Sequence, residues 1–273
     1  MADSSPLRKA LTVEEIRKEL LQLLDCLVQV CDSNGLRYFL AGGTLLGAVR
    51  HQGFIPWDDD IDVFMPRPDF ERFVSVFKKE HHDPVYKLTG LRTNDESWPF
   101  LKLVNTQIEI EEDYNIGDRH LWIDIFPIDG LPDDRRKAQM HLQRIAALKM
   151  LFALSIARIG KGKSRLRRLL KIPGVMIMRL YGSRRLAAQM DRFAKAYAYE
   201  TSNYVGNAVW NVGFGEYVPR NVFDGTTEVL FEGRIYRGPA GADLYLHSVY
   251  GEYLELPPEN KRKPNHSMRV FKT

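Results

Sequence analysis

The chain has 273 residues, 44% of them apolar and 27% charged, with ordinary glycine and proline content. That composition excludes a disordered or collagenous chain and leaves room for one large domain or two small ones. The formal charge of +4 hides an asymmetry: residues 135–190 hold 15 Lys and Arg and no Asp or Glu, so the rest of the chain is strongly acidic.

Cys26 and Cys31 are too few for a disulfide framework or a four-thiolate zinc site, which fits a reducing compartment. Residues 1–20 lack the apolar stretch of a signal peptide, and no uncharged apolar run reaches the ~18 residues of a membrane span. The expected location is therefore cytoplasmic.

Along the chain, Thr12-Val13-Glu14-Glu15 has the form of a capping box. Ile16, Leu20, Leu23, Leu24, Leu27 and Cys31 then recur at helical spacing until Asn34-Gly35. Leu36–Ala41 reads as a strand, Gly42-Gly43 as a turn, and Thr44–Arg50 as a short helix. Asp60–Met65 alternates acid and apolar and reads as a strand. Pro68–Lys79 reads as a helix, and Val85–Leu91, Phe100–Asn105, Ile108–Glu112 and Leu121–Ile128 as further strands. The basic window reads as helix, broken near Gly160–Lys163 and at Pro173-Gly174. Arg184–Tyr199 is expected to be helical, Glu228–Arg237 a hairpin turning at Glu232-Gly233, and Ala240–Tyr250 a short helix. From Pro257 the tail reads as polar loop. The class is α+β, in three parts: residues 1–134 as a catalytic core, 135–200 as a basic helical segment, and 201–273 as a mixed return that completes the site.

The densest chemistry is Trp57-Asp58-Asp59-Asp60-Ile61-Asp62-Val63. On a strand Asp60 and Asp62 share one face and Asp59 takes the other. Two like charges side by side are relieved by a divalent cation, and oxygen ligands suit Mg²⁺ or Mn²⁺. Such a pair alone is a weak signal, since acidic clusters also occur in turns. Two features accompany it. Gly42-Gly43-Thr44 would open a helix N-terminus to an anion. Asp124, among the apolar neighbours of Leu121–Pro127, needs a cation or a donor.

Gly-Gly, a paired Asp-x-Asp and a later third Asp resemble the nucleotidyltransferase superfamily, with its polymerase-β-like mixed sheet flanked by helices. The longer stretch from Ala41 through Gly42-Gly43-Thr44, Arg50 and Pro56-Trp57 to Asp62 is similar to the signature of the LicD family. So are Trp122–Asp129 and Tyr250-Gly-Glu-Tyr-Leu-Glu-Leu-Pro-Pro258 with Arg262 after it. These blocks span nearly the whole chain. The basic middle matches none of them.

The resemblance implies transfer of a phospho-headgroup, phosphocholine first, from a CDP-activated donor such as CDP-choline to a hydroxyl of a cell-surface glycan. The acceptor would be a teichoic acid or lipopolysaccharide precursor, and CMP would be released. Ethanolamine, ribitol and glycerol remain open as headgroups. Asp60, Asp62 and Asp124 would be catalytic and would hold two cations of the Mg²⁺ or Mn²⁺ kind, with Asp124 activating the acceptor. Gly42, Gly43, Thr44, Arg50 and Lys102 would bind the donor. Trp57 would face a choline headgroup, with Trp98, Trp122 and Trp210 as alternatives. Asp129 reads as a turn residue, Lys102 as a possible surface lysine, and His81-His82 as surface loop.

The charge of residues 135–190, interleaved with Leu148, Leu151, Phe152, Leu154 and Ile156, fits peripheral contact with an anionic membrane at its inner face. Arg165, Arg167, Arg168 and Lys171 would lead that contact. A nucleic-acid role is not expected, because only Phe152 and Tyr181 in the window could stack on bases. Three rivals remain. A nucleotidyltransferase would release pyrophosphate, a D-x-D glycosyltransferase would leave Gly42-Gly43 and Asp124 unexplained, and a non-catalytic membrane-associated protein would have no use for three clustered acids.

Overall fold

A computed structural model describes residues 9–112, 116, 119–159, 165–263 and 268–272, the side chains of 112 and 165–171 excepted. The first helix, α1 (Val13–Ser33), begins at the expected capping box. Thr12 Oγ1 accepts from the Glu15 N–H at 3.2 Å and Glu15 Oε2 from the Thr12 N–H at 2.7 Å. Its Leu20, Leu23, Leu24, Leu27 and Cys31 are fully buried, so the periodicity in the sequence is the core face.

The chain then runs through β1 (Phe39–Leu40), α2 (Gly42–His51), β2 (Asp62–Pro66), α3 (Arg67–Glu80), β3 (Tyr86–Gly90), β4 (Leu101–Glu112) and β5 (His120–Leu131). Three helices follow: α4 (Arg135–Ile156), α5 (Arg165–Tyr181) and α6 (Ser183–Ala194). The return comprises β6 (Tyr204–Gly206), β7 (Val218–Pro219), the hairpin β8 (Thr226–Phe231) and β9 (Arg234–Pro239), α7 (Ala242–Tyr250) and β10 (Met268–Lys272). The class is mixed α and β, as expected.

One mixed sheet carries the fold, in the order β1-β2-β5-β4-β10, with β3 also on β4 and β6-β7 continuing from β5. Among the described residues only β2 and β5 pair in parallel, in a register that sets Asp62 opposite Asp124 and Pro66 opposite Ile128. On β4, Lys102 lies opposite Asp124. Side chains alternate across a sheet, so Asp62, Asp124 and Lys102 form one row on one face. Val63, Met65, Leu101, Leu103, Ile123 and Ile125 alternate with them and are fully buried. Helices α1 and α3 pack on β2, β4 and β5. On the face of the charged row, Tyr245 of α7 meets Phe64 edge-on at 5.7 Å, and Phe152 of α4 packs on Trp98 at 5.4 Å.

Several elements depart from expectation. β2 begins at Asp62, so Asp60 belongs to the preceding loop and not to the strand. The two strands expected between Phe100 and Glu112 are one, with a register irregularity between Asn105 and Glu109. The helix expected over Arg184–Tyr199 ends at Ala194. α5 passes through Pro173 and Gly174 without ending, and it packs on α4. The expected break at Gly160–Lys163 lies outside the described residues, as do the side chains of Arg165, Arg167, Arg168 and Lys171. The polar tail is not all loop: β10 adds an edge strand to β4.

Asp129 is no turn residue. It lies in β5, buried, with both carboxylate oxygens 2.7 Å from Arg67 Nε and Nη2. His81 is not simply surface loop either: it stacks on Phe77 at 4.5 Å.

Candidate active site

The loop between α2 and β2 brings the acids together. Arg17 of α1 holds it, with Nη2 donating to the carbonyls of Ile55, Pro56 and Asp58 at 3.0–3.1 Å. Because the loop is not extended, strand alternation does not separate Asp59 from its neighbours. Carboxylate oxygens of Asp58, Asp59 and Asp60 all lie within 4.8 Å of one another. Asp62 follows, its N–H donating to Thr44 Oγ1 at 2.9 Å, so Thr44 ties the start of β2 to α2.

The two glycines make room for these carboxylates. A Cβ on Gly43 would stand 2.6 Å from Asp58 Oδ2, and one on Gly42, at φ +50°, would stand 3.1 Å from Asp62 Oδ2. A side chain at either position would displace a carboxylate from the positive end of α2, and at Gly42 it would also strain the left-handed backbone.

Burial, and then the charges of Asp60, Asp124 and Asp58, push the Asp62 carboxyl well above the usual carboxylate range, with Lys102 opposing. Lys102 is not a surface lysine. It is buried, with Nζ 3.6 Å from Asp124 Oδ1 and 3.8 and 4.4 Å from the ring centroids of Trp122 and Trp98. Its charge offsets part of the acid cluster and occupies the two tryptophans that sequence had offered for a headgroup.

Two connected spaces flank Asp60 and Asp62. An outer cleft of about 640 Å³ is lined by Gly43, Arg50, Trp57, Asp58, Tyr253 and Lys261, among others. An inner cavity of about 270 Å³ includes Gly42, Asp124, Phe126, Trp210, Glu216 and Tyr245. Asp60, Asp62, Val212 and Tyr250 line both.

Arg50 lines the outer cleft, but its Nη1 donates to the carbonyls of Tyr253 and Glu255 at 2.7 and 3.1 Å, so it also holds the C-terminal loop in place. Trp57 is half-buried there, with the Arg262 guanidinium 5.7 Å from its ring centroid. Lys102 lies across Asp124 from Asp62 and lines neither space.

Sequence reasoning passed over Lys261 and Lys263, which bring positive charge to the outer cleft, and Glu216, which is buried at the inner one. The lysines follow the Tyr250–Pro258 block closely enough to have been found. Glu216 carries no local signal, because its burial comes from distant elements.

The match to known proteins follows the same geometry. The family model described as LicD/FKTN/FKRP, nucleotidyltransferase domain, matches residues 35–146, which contain α2, the acidic loop, β2 and Asp124. Over those residues the chain resembles that family. Beyond the domain, the chain is 28% identical over 96% of its length, and 99% of the relative's, to the lipopolysaccharide cholinephosphotransferase LicD of Haemophilus influenzae. It is 36% identical to an uncharacterized Rickettsia typhi protein over 32% of this chain and 28% of that one. A 36-residue stretch, 13% of the chain and 7% of the relative, is 56% identical to human ribitol 5-phosphate transferase FKRP. Two of these relatives are named as transferases of phospho-headgroups. No helix among the described residues is long and apolar enough to cross a membrane.

Proposed function

We propose that the chain transfers a phospho-headgroup, phosphocholine first, from a CDP-activated donor to a hydroxyl of a cell-surface glycan precursor and releases CMP. The observation that carries this reading is the parallel register of β2 and β5, which sets Asp62 directly opposite Asp124, with Asp60 just before them at the mouth of a cleft. The relatives' activities support the same class of reaction.

The donor set fits hard divalent cations: the carboxylates cluster, and burial and then the charges of Asp60, Asp124 and Asp58 push the Asp62 carboxyl up. Asp60, Asp62 and Asp124 would hold Mg²⁺ or Mn²⁺. Bound there, such ions would neutralise the donor phosphates and lower the pKa of the acceptor hydroxyl. The acceptor oxygen forms the new bond to the headgroup-side phosphorus, and the bond from that phosphorus to the bridging oxygen breaks. CMP leaves with the electron pair, and Asp124 accepts the hydroxyl proton. Lys261, Lys263 and Arg50 set positive charge along the diphosphate path, and Trp57 offers a stacking surface for the base.

The test is product analysis with CDP-choline, Mg²⁺ and a glycan acceptor. CMP is expected; pyrophosphate would instead indicate nucleotidyl transfer.

The basic window supports a cytoplasmic, peripheral position. On α5, Pro173, Met176, Ile177, Leu180 and Tyr181 are exposed at helical spacing, while Val175 is buried against the protein. This outward apolar stripe lies in a segment without acids and suits the interface of an anionic membrane. Cosedimentation with anionic vesicles at low salt, weakening as salt rises, is expected. Failure to pellet at low salt would remove the membrane from this account.

A further inference from the structure

The inner cavity holds a carboxylate that the transfer chemistry does not use. Glu216 ends a short 3-10 turn, Phe214–Glu216, and is 3% exposed. Gly206 lets the β6 backbone close on it, since a Cβ there would fall on the Glu216 carbonyl. Among the described residues its Oε2 has no hydrogen-bond partner. The Asn207 backbone and the charge of Lys149 act on it, yet burial prevails and pushes its pKa up to about 7. Lys149 itself is turned to other groups: its Nζ donates to the Asn211 carbonyl at 2.5 Å and stands 5.2 Å from the Trp210 ring centroid. A buried carboxylate with an unfilled oxygen is costly and calls for a cation.

The wall around it is aromatic. Phe126, Trp210, Tyr245 and Tyr250 line the same 270 Å³. Both tyrosine hydroxyls are held far from ionisation, by burial first and then by the nearby acids, so these rings stay neutral. Aromatic faces beside a buried carboxylate are the chemistry that recognises an alkylammonium ion. Asp60, Asp62, Asp124 and Asn207 also line the cavity and could serve a polyol, so the aromatic rings together with the charge of Glu216 are what favour a cation.

We propose that the inner cavity takes the alkylammonium end of the headgroup, with Glu216 as its counter-ion and Trp210, Tyr245 and Tyr250 as its aromatic wall. The assignment rests on the transfer reading and refines it: cationic amino-alcohol headgroups are selected over polyols. Since the cavity shares Asp60 and Asp62 with the outer cleft, a phosphate beside those acids can direct its headgroup inward while the nucleotide stays outside.

The test is direct binding of phosphocholine and glycerol 3-phosphate, titrated separately into the protein with Mg²⁺ present. Wild type should prefer phosphocholine by about tenfold, the scale of a desolvated cation on aromatic rings. Glu216→Gln, nearly isosteric, should erase that preference. Trp210→Leu should reduce it as well, and carries the test if Glu216→Gln does not fold. Equal affinities in wild type, or a preference that survives Glu216→Gln, would overturn the assignment. CMP release from CDP-choline is scored separately. Its absence beside an intact preference would overturn the transfer reading alone, whereas turnover of CDP-glycerol without any cation preference would overturn this assignment alone.

Discussion

The parallel pair β2 and β5 has buried acids at both ends, and the two ends are treated in opposite ways. At one, Asp62 and Asp124 face each other with Asp58 and Asp60 nearby and Lys102 beside Asp124. At the other, Asp129 is gripped by both branches of Arg67. Arg67 and Arg92 share Asp191, at 3.1 and 2.8 Å, and Arg92 also binds Glu71 at 2.6 Å. Burial works against charge in both clusters. In the second, Asp129, Asp191 and Glu71 outweigh it and push the Arg67 pKa up, and Arg67 and Arg92 hold Asp191 below the usual carboxylate range, while at Asp129 burial prevails over Arg67 and raises the carboxyl. In the first, the carboxyl of Asp62 is pushed up. Arg67 and Arg92 join α3, β5 and α6 into a scaffold. A few residues away the carboxylates crowd one another, with the charge of Lys102 opposing their repulsion.

The largest expected effect is on turnover. Asp60→Asn, Asp62→Asn and Asp124→Asn should each lower CMP release by ~10²–10³-fold or more, the cost of removing an electrostatic group from a transition state. The same changes should separate in stability. Asp62→Asn relieves repulsion, so the metal-free protein should melt higher than wild type at neutral pH. Asp124→Asn takes the carboxylate away from buried Lys102 and should melt lower. A uniform fall in melting temperature across the three would erase the contrast between the two clusters.

Next in size is Arg67→Met. It leaves buried Asp129 without its guanidinium and should cost on the order of 3–5 kcal/mol in denaturant unfolding. Turnover per folded molecule should change far less than in the Asp62 variant. Loss of turnover at unchanged stability would place Arg67 in the site instead of the scaffold.

Glu216→Gln gives a pH-dependent effect of up to ~3 kcal/mol. With the Glu216 pKa raised from 4.5 to about 7, the folded protein holds a proton through this range that the unfolded chain has released. Wild-type stability from this group therefore falls as pH rises from about 4.5 through about 7, and glutamine removes that fall. The variant should melt like wild type near pH 4.5 and increasingly above it up to pH 8. A melting difference independent of pH would mean that Glu216 does not titrate there.

Much of this was legible in the sequence where the signal is local. The capping box at Thr12 and Glu15 acts within one turn of helix. The hairpin turns at Glu232-Gly233, both at positive φ, as expected. Asp62 and Asp124 could be linked because each lies in a recognisable block. What escaped depends on distant partners. Asp129 before Gly130 has the sequence of a turn, yet Arg67 makes it a strand residue. Lys102 looked like a surface lysine until Trp98, Trp122 and Asp124 enclosed it. The last strand, Met268–Lys272, exists through its pairing with β4. Asp59 was assigned by strand parity to the wrong face because the loop runs on to Asp62.

The most direct test of the account is CMP release from CDP-choline by wild type and Asp62→Asn, with a glycan acceptor, in Mg²⁺ and after chelation of divalent ions. The account predicts CMP and phosphocholine-modified acceptor with wild type in Mg²⁺ alone, and neither with Asp62→Asn, although that variant folds and melts no lower. Turnover by Asp62→Asn near the wild-type rate, or full wild-type activity after chelation, would contradict it.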